Sequence, residues 1–187
     1  MTFRENLNFR IAGQWKDTLI YPDGRKVEGK WSPNQIQNGA ALIVAGLAGR
    51  VGEIAPHNAP IPFTGISYMA IGSGLVGWDT VAPAQPKTDL VLETEYFRKS
   101  IGAADMQFVD PTTPFAPSAL PTRCLEVAVT LMPSEANGAM REFALFGGSA
   151  GPTLDSGEIF NWVIHPLINK DTTLTINRVI RLTFLNP

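Results

Sequence analysis

Histidines, cysteines and paired carboxylates carry most side-chain chemistry near neutral pH, and this chain is sparing with the first two. It has two histidines. His57 lies in a proline-rich stretch and His165 ends an apolar run just before Pro166, so both read as hydrogen-bonding residues at the surface or at a strand end. Cys124 is the only cysteine, in Thr122-Arg-Cys-Leu-Glu-Val-Ala-Val-Thr130; with no partner for a disulfide or a metal pair, it reads as a small buried apolar residue. Gly72-Ser-Gly74 lacks the flanking glycine pattern of a nucleophile elbow and reads as a turn. Asp79, Asp89, Glu93, Glu95, Glu142 and Glu158 are carboxylates that only the fold could bring together as a catalytic pair. Trp78 and Trp162 are candidate stacking faces for a sugar, although an indole more commonly serves a core or an interface. No zinc-helix, paired-cysteine, calcium-loop or phosphate-loop spacing occurs, so the sequence implies no metal, no cofactor and no enzymatic activity.

One charged pair stands inside an otherwise strand-like run, Leu92-Glu-Thr-Glu-Tyr-Phe-Arg98. Glu95 and Arg98 are three apart, and in a regular strand such residues point to opposite faces, so each is expected to find a separate partner or to stand in water.

The elements that must position these groups are mostly strands. Leu125-Glu-Val-Ala-Val-Thr-Leu-Met132 alternates cleanly, with Leu125, Val127, Val129 and Leu131 on one side. Arg141-Glu-Phe-Ala-Leu-Phe146, Ile159-Phe-Asn-Trp-Val-Ile-His165 and the run 174–184 follow between glycine, proline, asparagine and aspartate turns. Gly65-Ile-Ser-Tyr-Met-Ala-Ile-Gly72 and residues 92–101 read as further strands, and residues 110–121, with four prolines, as a long irregular loop. Ser32-Pro-Asn-Gln35 has the chemistry of a helix start, a serine cap with proline at the first helical position. Ile36, Ala40, Ile43 and Leu47 then form one apolar face of a helix over 32–47, which either lies across its own sheet or packs between subunits. Before it, Tyr21-Pro-Asp-Gly-Arg25 is a turn, and Phe3, Leu7 and Phe9 load the chain start with apolar groups that must lie on something.

The expected fold is mainly β, an antiparallel β-sandwich or jelly-roll-like domain over 65–187, preceded by an extended arm or hairpin over 1–31 and by a helix with a proline-rich linker over 32–64. Phe3, Leu7, Phe9, Ile36, Ala40, Ile43 and Leu47 are the candidate contacts to neighbouring subunits, and removing residues 1–50 is expected to abolish assembly and spare a folded β domain. With 15 basic and 17 acidic residues, a net charge of −2 provides no field to gather nucleic acid or an anionic membrane. Charged residues make up 17% of the chain, below the roughly 25% of a typical soluble domain, so much of the surface is neutral. The longest apolar run, 39–49, is far shorter than the roughly 20 residues needed to span a bilayer, and the polar chain start does not suit a signal peptide.

Three segments carry a resemblance. Tyr68-Met-Ala-Ile-Gly-Ser-Gly74 with Trp78-Asp-Thr80, then Leu92, Glu95 and Arg98 spaced as Leu-x-x-Glu-x-x-Arg, then Glu142-Phe-Ala-Leu-Phe-Gly-Gly148, together resemble a pattern in tail- and appendage-associated virion proteins of tailed bacteriophages. In that pattern the last segment is a turn with glycine where this chain has Ala144. The resemblance covers about residues 65–184. It implies a β-sandwich building block of a tail, baseplate, collar or fibre-attachment assembly, made in a host cytoplasm and carried in the virion. Its partners would be other virion proteins and further copies of itself, without catalytic residues. Two other readings are a capsid decoration or head-fibre protein and a module binding a host glycan or receptor.

Overall fold

A computed structural model describes residues 10–48, 64–81, 83 and 91–185, with 42 and 45–48 defined by backbone alone. Phe3, Leu7, Phe9, His57 and Asp89 lie outside the described residues. The chain is mainly β. Among the described residues its strands are β1 (Arg10–Ile20), β2 (Lys26–Glu28), β3 (Ser32–Ile36), β4 (Thr64–Gly72), β5 (Glu95–Ser100), β6 (Met106–Asp110), β7 (Ala116–Ser118), β8 (Cys124–Leu131), β9 (Gly138–Gly148), β10 (Glu158–Lys170) and β11 (Thr175–Leu185), with one α-helix, α1 (Gly39–Ala48). They form one antiparallel sheet in the order β5-β4-β9-β10-β3-β1-β11-β8-β6-β7, with β2 added on β1.

The sheet folds over on itself at β3. Residues 32–34 of this strand pair with β1, and Gln35 and Ile36 pair with Trp162 and Asn161 of β10. The two halves then face each other. Val127, Val129 and Leu131 of β8 and Ile176, Ile180 and Leu182 of β11 share one core with Met69 and Ile71 of β4, Phe143 and Leu145 of β9, and Val163 of β10. Strand β9 is buried on both faces. A second cluster of Ala70, Leu92, Ala144, Phe146, Ile159 and Trp162 covers its other side, which explains why its sequence runs apolar without alternation.

The turn at Tyr21-Pro-Asp-Gly-Arg25 closes the β1–β2 hairpin as its residues require. The Gly24 amide donates to the Tyr21 carbonyl at 2.9 Å and Gly24 sits at φ +81°, a conformation that glycine adopts without cost.

Four expectations are corrected here. The helix does not begin at Ser32: residues 32–36 are a strand, and the helix starts at Gly39. Local capping chemistry loses because the open backbone groups of β1 and β10 both need a partner, and β3 supplies it. Ala40 and Ile43 are buried within the chain and Ile36 packs partly against the same core, so these residues are internal contacts; the Leu47 backbone lies in the helix. Residues 10–48 are no detachable arm. Strand β1 pairs along its length with β11 and also with β3, so removing residues 1–50 is expected to unfold the domain. Within the proline-rich 110–121, residues 116–118 are a strand at the sheet edge, where the missing N–H of Pro117 deprives no further strand of a bond.

Candidate functional site

The three segments of the sequence pattern, far apart in the chain, are brought side by side by the sheet order β5-β4-β9. Glu142-Phe-Ala-Leu-Phe-Gly-Gly148, a turn in the virion-protein pattern but strand-like in its own residues up to Phe146, lies in β9. Its first residue ties the segments together. The Glu142 carboxylate is fully buried and accepts from the Glu93 amide at 3.2 Å, the Thr94 amide at 3.0 Å and the Trp162 indole at 2.8 Å. Burial pushes the Glu142 carboxyl above the usual range, while those hydrogen bonds pull the other way. Gly72 stands opposite Glu142, and a Cβ there would come within 2.3 Å of its Oε1. Gly72→Ala is therefore expected to push the carboxylate off its donors and to cost about 1–3 kcal/mol in urea unfolding. Unchanged stability would show that the carboxylate can move without loss.

After Gly72 the chain leaves the sheet as a short loop over 73–81. Gly74 takes φ +52°, and the Trp78 ring closes over it so tightly that an added Cβ would meet the ring at 2.5 Å. Trp78 packs edge-on against Trp162, with centroids 6.3 Å apart. Asp79 receives both Nε and Nη2 of Arg141 at 2.8 Å, while Nη1 of the same guanidinium donates to the Ser73 carbonyl at 3.1 Å. This fork holds the Asp79 carboxyl below the usual range. The loop is thus fastened at both ends, yet Leu75, Val76 and Val81 at its tip are 50%, 76% and 73% exposed.

Beside this tip, β10 bulges. Ile164 pairs with Glu142 and Ile168 with Met140, so His165, Pro166 and Leu167 face Arg141 alone. The bulge separates two clefts. One, of about 400 Å³, lies between it and Trp78 and Asp79. The other, of about 310 Å³, is lined by Trp15, Leu19, Val27 and Lys30 together with Asp17 and the bulge itself.

His165, expected at the surface or a strand end, is buried by the bulge. Its Nδ1 lies 2.8 Å from the Pro166 carbonyl and its Nε2 3.4 Å from Nη2 of Arg178. A carbonyl only accepts and a guanidinium only donates, so the proton sits on Nδ1 and the ring is neutral. Arg178 has no exposed surface although it sits between Ile176 and Ile180 on the inward face of β11. It grips Asp17 of β1 with Nε at 2.7 Å and Nη2 at 2.6 Å and lies over the Phe143 ring at 4.0 Å, and its Nη1 has no partner among the described residues.

Glu95 and Arg98 correct the sequence reading. They form a direct two-pronged bond, Nε to Oε1 at 2.6 Å and Nη2 to Oε2 at 2.7 Å, with both side chains out of contact with water. A bulge explains it: pairing with β4 steps from Phe97 to Glu95, so Tyr96 is passed over and the two charges fall on one face. Arg98 Nη1 also donates to the Ser156 carbonyl at 2.7 Å, and Glu95 accepts from the Asp155 amide at 3.0 Å, which pins the loop after β9.

Of the other sequence candidates, Glu158 is half-buried at the start of β10, Glu93 contributes its amide to Glu142, and Cys124 is buried with Sγ 3.5 Å from the Thr183 hydroxyl. Trp162 is buried and spends its indole N–H on Glu142, while Trp78 borders a cleft. Among the described residues, no three His, Cys, Asp or Glu side chains gather as a metal site would require, and no helix is long and apolar enough to cross a membrane. The sequence reading missed Asp17, Arg178 and Arg141. A signal was present for the first two, each a charge at the apolar phase of an alternating strand: Trp15-x-Asp17-x-Leu19 and Ile176-x-Arg178-x-Ile180.

Fold and site together define an antiparallel, mainly β protein that presents a fastened apolar tip beside a bulged strand. Comparison with protein families, curated proteins and solved structures finds no match to this chain.

Proposed function

We propose that the chain is a non-enzymatic structural subunit of a virion or a related injection particle, in a tail, baseplate, collar or fibre-attachment position, acting by packing against other protein subunits. The observation that carries this reading is the loop over 73–81. An ion-paired Asp79, a glycine in a left-handed conformation and two packed tryptophans hold it, and what it holds out to solvent is Leu75, Val76 and Val81. An exposed apolar group is costly in isolation and useful when a neighbour covers it; a rigid mount loses little conformational entropy on docking. The mount is made from the segments that resemble virion proteins.

Quantitative mass spectrometry of purified particles tests the reading. The expected result is the chain at a fixed copy number, and its loss from particles carrying Val76→Asp with Val81→Asp, while the purified variant keeps its unfolding temperature. Absence of the wild-type chain from particles, or undiminished incorporation of the variant, overturns it. A copy number matching the capsid lattice would move the assignment to a decoration protein.

A further inference from the structure

We propose that the face containing the tip, the β10 bulge and the Val27 cleft is a two-fold interface between two copies of this chain, the tip of each copy entering the cleft of the other. This rests on the packing role proposed above and names the partner. Convex and concave parts lie on one continuous face: the His165–Leu167 bulge borders the cleft containing Trp78 and Asp79 on one side and the cleft containing Trp15, Leu19 and Val27 on the other. Each part carries an exposed apolar group: Val76 at 76% in the tip, Leu167 at 36% in the bulge and Val27 at 42% on the second cleft.

A knob and a socket on different faces of a subunit would build rings or filaments. Side by side on one face they satisfy each other under a two-fold rotation, because a patch in such a dimer meets its own copy and every contact occurs twice. The socket suits an aliphatic tip. It measures about 310 Å³, room for one or two branched side chains, and its wall residues Trp15, Leu19, Val27 and Ile168 are apolar. Asp17 and His165 also border it, but their polar atoms are already engaged by Arg178 and the Pro166 carbonyl, so they place no polar demand on the occupant.

Charge complementarity selects a second copy over an unrelated apolar partner. Lys30, exposed on the socket rim, has no ion-pair partner among the described residues. Next to the tip, the Asp79 carboxylate keeps 34% of its side-chain surface in water despite its bond to Arg141. The two-fold rotation brings the Asp79 of one copy toward the Lys30 of the other, at both ends of the interface. Apolar knob, apolar socket and opposite rim charges thus all recur with the same symmetry.

The test is molar mass by light scattering over a range of concentrations, on the wild-type chain and three variants. The wild type is expected to be a dimer. Val76→Lys sends two cations toward Lys30 and is expected to weaken dimerisation at least about thirtyfold, since it strikes a central anchor twice. Lys30→Glu, facing Asp79, is expected to weaken it by several fold. Val76→Lys combined with Lys30→Glu is expected to recover most of the loss, because each introduced charge then meets its opposite. Both positions are exposed, and near-ultraviolet circular dichroism confirms that each variant is folded. A monomeric wild type at every concentration, or a double variant no better than Val76→Lys alone, overturns the proposal. Incorporation into particles is read separately: a monomer that still enters particles would sink the dimer and leave the packing role standing.

Discussion

Replacing Asp17 by alanine is expected to destabilise the protein by about 3–5 kcal/mol, because it leaves the Arg178 guanidinium uncompensated in the sandwich core. Arg178 has no exposed surface and its Nη1 lacks a partner among the described residues, so the neutral Nε2 of His165, 3.4 Å from Nη2, is what remains to it. The reverse change should cost less. With Arg178→Met, the stranded Asp17 lies on the wall of the 310 Å³ cleft, where water can reach it whenever no second copy covers the cleft, and the new thioether can lie against Phe143 and Trp15. Replacing both, as Asp17→Leu with Arg178→Met, should return stability to near or above that of the wild type, since a buried ion pair seldom outperforms apolar groups of its own size. Urea unfolding of the three variants measures all of this. An Asp17→Ala cost below about 1 kcal/mol, or a double variant as poor as the single one, would show that the guanidinium finds water or another acceptor.

That cluster shows where the sequence was legible and where it was not. The strands of the last third could be read because alternation depends on one residue's neighbours; Val127, Val129 and Leu131 are buried where their spacing put them. The pairing of Asp17 with Arg178 joins strands from opposite ends of the chain, and no local spacing encodes it. Glu95 and Arg98 failed for a different reason. The inference from alternation was sound for a regular strand, but one residue passed over at Tyr96 inverts the phase, and a bulge has no composition signal of its own. Ser32-Pro-Asn-Gln35 is a further kind of failure: its residues suit a helix start, and a tertiary demand at the fold of the sheet took them for a strand.

The site was legible in pieces. Gly72, Gly74, Trp78, Asp79 and Glu142 were all singled out within the sequence pattern, and all meet at the mount of the tip. What joins them is Arg141, ordinary in sequence, and a sheet order that sets β4 between β5 and β9. The exposed valines drew no notice because a lone valine in a glycine-rich turn is unremarkable. Its exposure acquires meaning only against the rigidity of what carries it.

Acid should act on this protein through His165. Burial and the adjacent Arg178 guanidinium pull its pKa down to about 4 from an ordinary 6.5, outweighing the opposing Pro166 carbonyl and Asp17. The folded value lies below the unfolded one, so between those pH values the unfolded chain binds a proton that the folded chain refuses. The contribution is therefore fully present above about pH 6.5 and is lost as pH falls toward 4, a total near 3 kcal/mol. The geometry gives the same direction, because a proton on Nε2 would turn an N–H toward Nη2 of Arg178, now 3.4 Å away. His165→Gln keeps an acceptor for Arg178 and does not titrate. Subtracting its stability curve from that of the wild type between pH 7 and 4 removes the carboxylates common to both, and the difference should narrow as pH falls if the histidine is held neutral. Parallel curves would mean that His165 titrates alike in both states, and the ring would then have to be reached by water through the bulge.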